Sequence, residues 1–162
     1  MNTSQGRTLV PHTALVPGPD LNPWDTNLAV AEAQDLLRAH GFDIPVNGDF
    51  DWKTENAVKS YQRKYDLRVD GIVGMETWIS LKRTVPPGVR ALQVGRSGAD
   101  VFELQGLLQI AGYRLKRDGV FGEETQRAVI AFQQQHRLQA NGTVNPMTWA
   151  LLGVRASLLK QS

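Results

Sequence analysis

Apolar residues recur along the second half of the chain with the period of an α-helix: Val101, Leu104, Leu107 and Leu108 keep helical spacing, and Gly112 supplies a stop. Thr125, Ala128, Val129 and Phe132 then fall at i, i+3, i+4 and i+7, which lines them on one face of a second helix. A short third helix is entered through Asn145-Pro146, with asparagine as N-cap and proline at the first helical position. The first half carries the same order. Thr54, Ala57, Val58 and Tyr61 share a helical face, and Gly74 occupies the cap of the helix that follows.

This likeness is a true internal repeat. Sliding Thr54 onto Thr125 lays Val30 to Leu81 over Val101 to Leu152 without a gap, and roughly a third of the positions coincide. Gln34, Leu36, Leu37 and Gly41 meet Gln105, Leu107, Leu108 and Gly112; Gln62, Leu67, Trp78 and Leu81 meet Gln133, Leu138, Trp149 and Leu152. Two copies are fewer than a stacked solenoid needs, so each is expected to be a mini-domain of its own. The expected order is a Pro-rich N-terminal tail over 1–25, a first domain over 26–82, a linker over 83–90, a second domain over 91–153 and a C-terminal tail over 154–162. Pro86, Pro87 and Gly88 exclude regular structure from the linker.

Within each copy a shorter pattern recurs, at Asn47-Gly48-Asp49-Phe50, Asp70-Gly71-Ile72-Val73, Asp118-Gly119-Val120-Phe121 and Asn141-Gly142-Thr143-Val144. Asn-Gly and Asp-Gly favour tight turns because both residue types tolerate positive φ. Each turn drops an apolar residue into the core just before a helix, and the two turns of one copy are expected to pair as a minimal β-hairpin.

These residues resemble the type 1 peptidoglycan-binding domain family. Copy two carries its pattern from Leu104-Gln105 and Gly112-Tyr113 through Asp118-Gly119-Val120-Phe121-Gly122, Thr125, Ala128-Val129 and Phe132-Gln133 to Leu138, Asn141-Gly142, Val144 and Thr148-Trp149. It also has the lead-in Leu92, Gly95 and Gly98. Copy one matches over Asp70-Gly71-Ile72-Val73-Gly74 and Thr77-Trp78, but Asn47 replaces the aspartate, Asp51 replaces the glycine after Phe50, and no Leu-Gly-Gly lead-in is visible. The resemblance implies a mainly all-α fold of two small three-helix domains in tandem. It also implies binding of bacterial cell-wall peptidoglycan without chemistry, anchoring or targeting a larger assembly or a hydrolase.

Helix starts beside turns offer backbone N–H groups and a positive dipole end to stem-peptide carboxylates. The candidate ligand-binding set is therefore Asp118, Gly119, Gly122, Thr125, Gln133, Asn141, Gly142 and Thr148, with Gln62, Asp70, Gly71 and Thr77 of the first copy, and Tyr113. The same residues also have a structural reading. Gly48, Gly71, Gly119 and Gly142 suit turn conformations, Trp78, Trp149, Phe50, Phe121, Tyr61 and Phe132 suit the core, and Gln62 and Gln133 either order a loop or touch ligand. Trp52, Tyr65 and Tyr113 fall where a surface is expected, and an exposed aromatic there either stacks on a sugar or does nothing.

Composition narrows the rest. The 162 residues are 41% hydrophobic, enough for packed cores, and Lys plus Arg is 18 against 16 for Asp plus Glu, so charge gives no case for nucleic acid. Cysteine is absent, and His12, His40 and His136 stand at unmatched places, so neither a metal site nor any cofactor is expected. Neighbouring carboxylates such as Glu123 and Glu124 point apart, unlike a glycosidase pair, and the chain is expected not to be an enzyme, a cell-wall hydrolase being the less favoured reading.

No apolar run approaches the roughly 18 residues of a membrane span. Pro11, Pro17 and Pro19 interrupt what a secretory signal would need, so the expectation is synthesis in the cytoplasm with action at the wall or periplasm, or a place in a virion or injection particle. The alternative function is a structural subunit of a phage tail or contractile injection machine. There an ordered N-terminal tail would lie on a neighbouring subunit of the particle.

Overall fold

The computed structural model describes residues 9–161 and, over 154–161, the backbone alone. After a short 3-10 turn at His12–Leu15, six helices follow: α1 (Leu28–Ala39), α2 (Trp52–Lys64), α3 (Met75–Thr84), α4 (Ala99–Ile110), α5 (Glu123–Gln135) and α6 (Pro146–Gln161). The fold is all-α, two three-helix units in tandem.

Local chemistry sets the helix starts. The Asn27 side chain accepts the Val30 N–H at 3.0 Å to cap α1. Asp51, which departs from the family pattern, caps α2 by accepting the Thr54 N–H at 3.1 Å. Asn145 does the same for α6 through the Thr148 N–H, and proline opens that helix. Gly74, Gly98 and Gly122 head α3, α4 and α5 with no side-chain cap. Residues 154–161, expected as a tail, continue α6 to Gln161, because no proline or glycine interrupts them after Gly153.

Each unit closes its own core. Leu21, Val30, Leu36, Leu37, Phe50, Val58, Tyr61, Trp78 and Leu81 form the first, and Leu92, Val101, Leu104, Leu108, Phe121, Val129, Phe132 and Leu152 the second. At about 25 cal/mol per Å² of apolar surface removed from water, such burial is the main favourable term for units this small.

The two turns of a unit do not pair with each other as a hairpin. Each pairs with the extended stretch ahead of the first helix: Leu21 bridges Val73 and Thr26 bridges Asp49, and in the second unit Leu92 bridges Val144 and Ser97 bridges Val120.

Copy one therefore has a lead-in, disguised by its side chains. Trp24 N–H donates to Phe50 O at 2.8 Å as Gly95 N–H donates to Phe121 O at 3.0 Å, and Asn27 N–H donates to Gly48 O as Gly98 N–H donates to Gly119 O. Trp24 takes the left-handed conformation of its glycine counterpart, φ 77° against 100°, at a cost of about 1–2 kcal/mol for a residue with a Cβ.

The segment before Leu21 straps the units together. Trp78 Nε1 donates to Pro19 O at 2.7 Å and Lys82 Nζ to Val16 O at 2.7 Å on the first unit, while Thr13 Oγ1 donates to Asp118 O on the second. Ala14 and Leu15 are buried. The described part of the expected tail thus lies on its own chain, which removes the motive for placing it on a neighbouring subunit; residues 1–8 fall outside the described residues. Beneath the strap, Lys82 Nζ also donates to Ser97 Oγ at 2.9 Å, and Arg90 holds Asp100 through Nε at 2.6 Å and Nη2 at 3.0 Å. Burial pushes the Lys82 ammonium below its ordinary value, with Glu32 opposing.

Candidate functional site

The motif that singles out this sequence folds into one device used four times. A buried glutamine on the preceding helix reaches each turn, and its Oε1 accepts the turn glycine N–H: Gln34 from Gly48 at 2.9 Å, Gln62 from Gly71 at 3.0 Å, Gln105 from Gly119 at 2.7 Å and Gln133 from Gly142 at 3.0 Å. Its Nε2 donates to the carbonyl oxygen of the next residue, Asp49, Ile72, Val120 or Thr143. The second N–H goes to a threonine hydroxyl on the following helix, Thr54, Thr77, Thr125 or Thr148, at 3.0–3.2 Å.

The turn's own Asn or Asp completes the clamp. Oδ1 of Asn47, Asp70, Asp118 and Asn141 accepts the N–H two residues on, at 2.9 Å each. One primary amide thereby ties the N–H and carbonyl of its turn to a hydroxyl on the next helix.

This placement sorts the sequence-derived set. Gln62, Gln133, Gly71, Gly119, Gly142, Thr77, Thr125 and Thr148 are buried inside the clamps, with their polar atoms spent on the fold. Asp70 and Asn141 are exposed but turned back on their own loops. Asp118 is half-buried beneath the strap, and Gly122 is the bare cap of α5. Tyr113 packs edge-on against Phe132 at 6.2 Å and its hydroxyl bonds Gln135. The structure does not bring these residues together around one pocket.

What remains open lies beside the clamps. A cleft of about 370 Å³ runs along the start of α3, lined by Arg68, Asp70, Ile72, Met75, Glu76 and Thr77. Arg68 and the uncapped first turn of α3 line it together, a setting for a carboxylate or an amide carbonyl. A second cleft, of about 270 Å³, lies between the 42–44 loop and α2, with Trp52, Lys53, Asn56 and Ser60 on its walls. Sequence reasoning misses Arg68, Glu76, Asn56 and Ser60 because the repeat highlights what the two copies share, and these residues differ between them. For Glu76, Asn56 and Ser60 the only signal is a polar side chain on a helix face opposite the apolar stripe, and Arg68 lies in the loop between α2 and α3. Among the described residues, no group of three or more His, Cys, Asp or Glu is placed to hold a metal ion, and no helix is long and apolar enough to cross a membrane.

With this geometry in place, known proteins supply context. A family model described as "Putative peptidoglycan binding domain" matches residues 26–81 and again 97–152. The chain is 39% identical over 148 residues to the N-acetylmuramoyl-L-alanine amidase CwlM of Mycobacterium tuberculosis, covering 81% of this chain and 36% of that protein. It is 30% identical over 154 residues to a probable N-acetylmuramoyl-L-alanine amidase of Bacillus licheniformis, covering 81% of this chain and 43% of that protein. A spore cortex-lytic enzyme of Halalkalibacterium halodurans is 43% identical over 58 residues, 35% of this chain and 18% of the enzyme.

The chain spans less than half the length of each of these relatives. Their names overturn the expectation that the chain is not an enzyme: relatives matched over four fifths of it are named as amidases. Both matched stretches, 26–81 and 97–152, belong to the binding-domain model, so the motifs read from the sequence carry no signal for or against catalysis.

Proposed function

Because the chain belongs to the peptidoglycan-binding domain family in both of its units, we propose that it grips bacterial cell-wall peptidoglycan through their exposed faces. We further propose that it serves cleavage of the N-acetylmuramoyl-L-alanine bond, the activity for which its relatives are named. The observation that carries the wall-binding reading is the double match of the family pattern. The clefts beside α2 and α3 offer what such a polymer asks for, an aromatic wall with amide and hydroxyl groups, and an arginine beside a helix start.

Two units strapped side by side make the second contact intramolecular, which raises retention on a repeating polymer by about two orders of magnitude even where each contact is weak.

Sedimentation with purified sacculi tests the reading. The full chain is expected in the pellet, and soluble fragments of the same wall are expected to release it. A chain that stays in the supernatant overturns wall binding. The lytic part has its own readout, new N-terminal alanine on stem peptides released from the wall, and its absence overturns that part alone.

A further inference from the structure

The two units share their cores but not their surfaces. In the first, Trp52 is 60% exposed at the start of α2 and Trp24 is 78% exposed in the lead-in. At the equivalent places the second unit has Glu123 and Gly95. Neither indole serves its own core, and Trp24 holds a left-handed backbone that glycine takes freely. The Trp24 backbone N–H donates to the carbonyl of Phe50, two residues before Trp52, so the two tryptophans are attached at neighbouring backbone positions.

The cleft at Trp52 has a definite chemistry. Asp43, Asn56 and Ser60 line it with exposed carboxylate, amide and hydroxyl groups, and none of the three makes a side-chain hydrogen bond among the described residues. Lys53 Nζ stands 5.8 Å from the Trp52 ring. An apolar flat face ringed by free donors and acceptors matches a pyranose ring, which has an apolar C–H face and an equatorial belt of hydroxyl and acetamido groups. About 270 Å³ is small for a drug-sized ligand and suits a single ring. In the second unit Arg114, Glu123, Arg127 and Ala131 occupy the places of Asp43, Trp52, Asn56 and Ser60, and Glu123 pairs with Arg127 at 3.6 Å. That surface is ion-paired and lacks an aromatic wall.

We propose that the Trp52 cleft of the first unit, with Trp24 beside it, is a saccharide subsite that stacks an N-acetylated sugar ring of the glycan strand, and that the second unit has no equivalent. The proposal rests on the wall-binding reading above and divides the labour within it: the first unit reads glycan, and the second holds the wall by other contacts.

The full chain is titrated with a tetramer of N-acetylglucosamine, which carries no stem peptide, and tryptophan emission is followed. Trp78 and Trp149 are buried, so the signal reports Trp24 and Trp52. A saturable change is expected. Trp52→Ala weakens it about tenfold at unchanged thermal stability, Trp52→Tyr keeps most of it, and Trp24→Gly weakens binding while raising the melting temperature. Glu123→Ala leaves the affinity as it was, and an equal loss there overturns the assignment to one unit. A chain that sediments with sacculi but ignores the tetramer, or a Trp52→Ala chain that binds it like the native one, overturns the subsite and leaves wall binding standing. Self-association lost in Trp52→Ala and untouched by the tetramer also overturns it, marking a contact between copies. Failure to sediment with sacculi removes both readings.

Discussion

Gln133 Oε1 accepts the backbone N–H of Gly142 at 3.0 Å, joining α5 to the turn that launches α6. The same amide serves Thr143 O and the Thr148 hydroxyl, so one side chain fixes where the last helix begins. Replacing Gln133 by methionine keeps the volume and leaves the Gly142 N–H and the Thr143 carbonyl without that partner, while Thr148 Oγ1 keeps its bond to Asn145 Oδ1 at 3.1 Å. An orphaned buried group costs about 1–3 kcal/mol, and partial relaxation leaves an expected loss of about 2–4 kcal/mol in urea unfolding. A loss under about 0.5 kcal/mol, the range of ordinary surface changes, would show that the clamp is incidental.

The strap makes a different demand on one of the four turn glycines. A Cβ on Gly119 would lie 2.2 Å from the Ala14 Cβ, whereas one on Gly142 would meet only flexible side-chain atoms at 3.1 Å or more. Both have φ 77°, so the backbone strain of alanine is common to the two. Gly119→Ala should therefore lower the melting temperature more than Gly142→Ala, and adding Ala14→Gly to the former should recover part of the gap. Equal effects of the two substitutions would mean that the strap does not hold the second unit in solution.

The helices were legible because their apolar positions keep a strict period, as in Thr125, Ala128, Val129 and Phe132. The clamps were legible only in part: ordering a loop was one of two readings of Gln62 and Gln133, but a glutamine on a helix looks like a surface residue until its turn folds back on it. Gln34 and Gln105 are buried only because Gly48 and Gly119 place an N–H over them. The strap escaped for another reason: Pro11, Pro17 and Pro19 break any long periodic pattern, but a four-residue 3-10 turn and extended chain suffice to bury Ala14, Leu15 and Leu21. The lead-in of the first unit was hidden because backbone geometry survives in Trp24 and Asn27 after the glycines are gone. Trp52 stood out in the sequence as a surface aromatic, but Asp43, Asn56 and Ser60 differ between the copies and carry no repeat signal, which is why the cleft they form with it emerges only from the fold.

Acidity should weaken the first unit through His40. Its ring packs against Tyr61 and Tyr65, and its Nε2 stands 3.1 Å from the Thr84 hydroxyl. Burial pushes the imidazole below its ordinary value of 6.5, with Lys64 adding to the effect. The unfolded chain then binds a proton at higher pH than the folded one, so this contribution to stability is complete above about 6.5 and is lost as pH falls through the lowered folded value. Melting temperatures from pH 8 down to pH 5 should fall for the native chain and fall less for His40→Gln. Identical pH profiles would remove His40 as the cause.

Equilibrium sedimentation of the full chain over a range of purified sacculus concentrations tests wall binding most directly. A saturable isotherm is expected, displaced by soluble fragments of the same wall and absent with cross-linked dextran. Retention that never saturates, or that is equal on dextran, would contradict it.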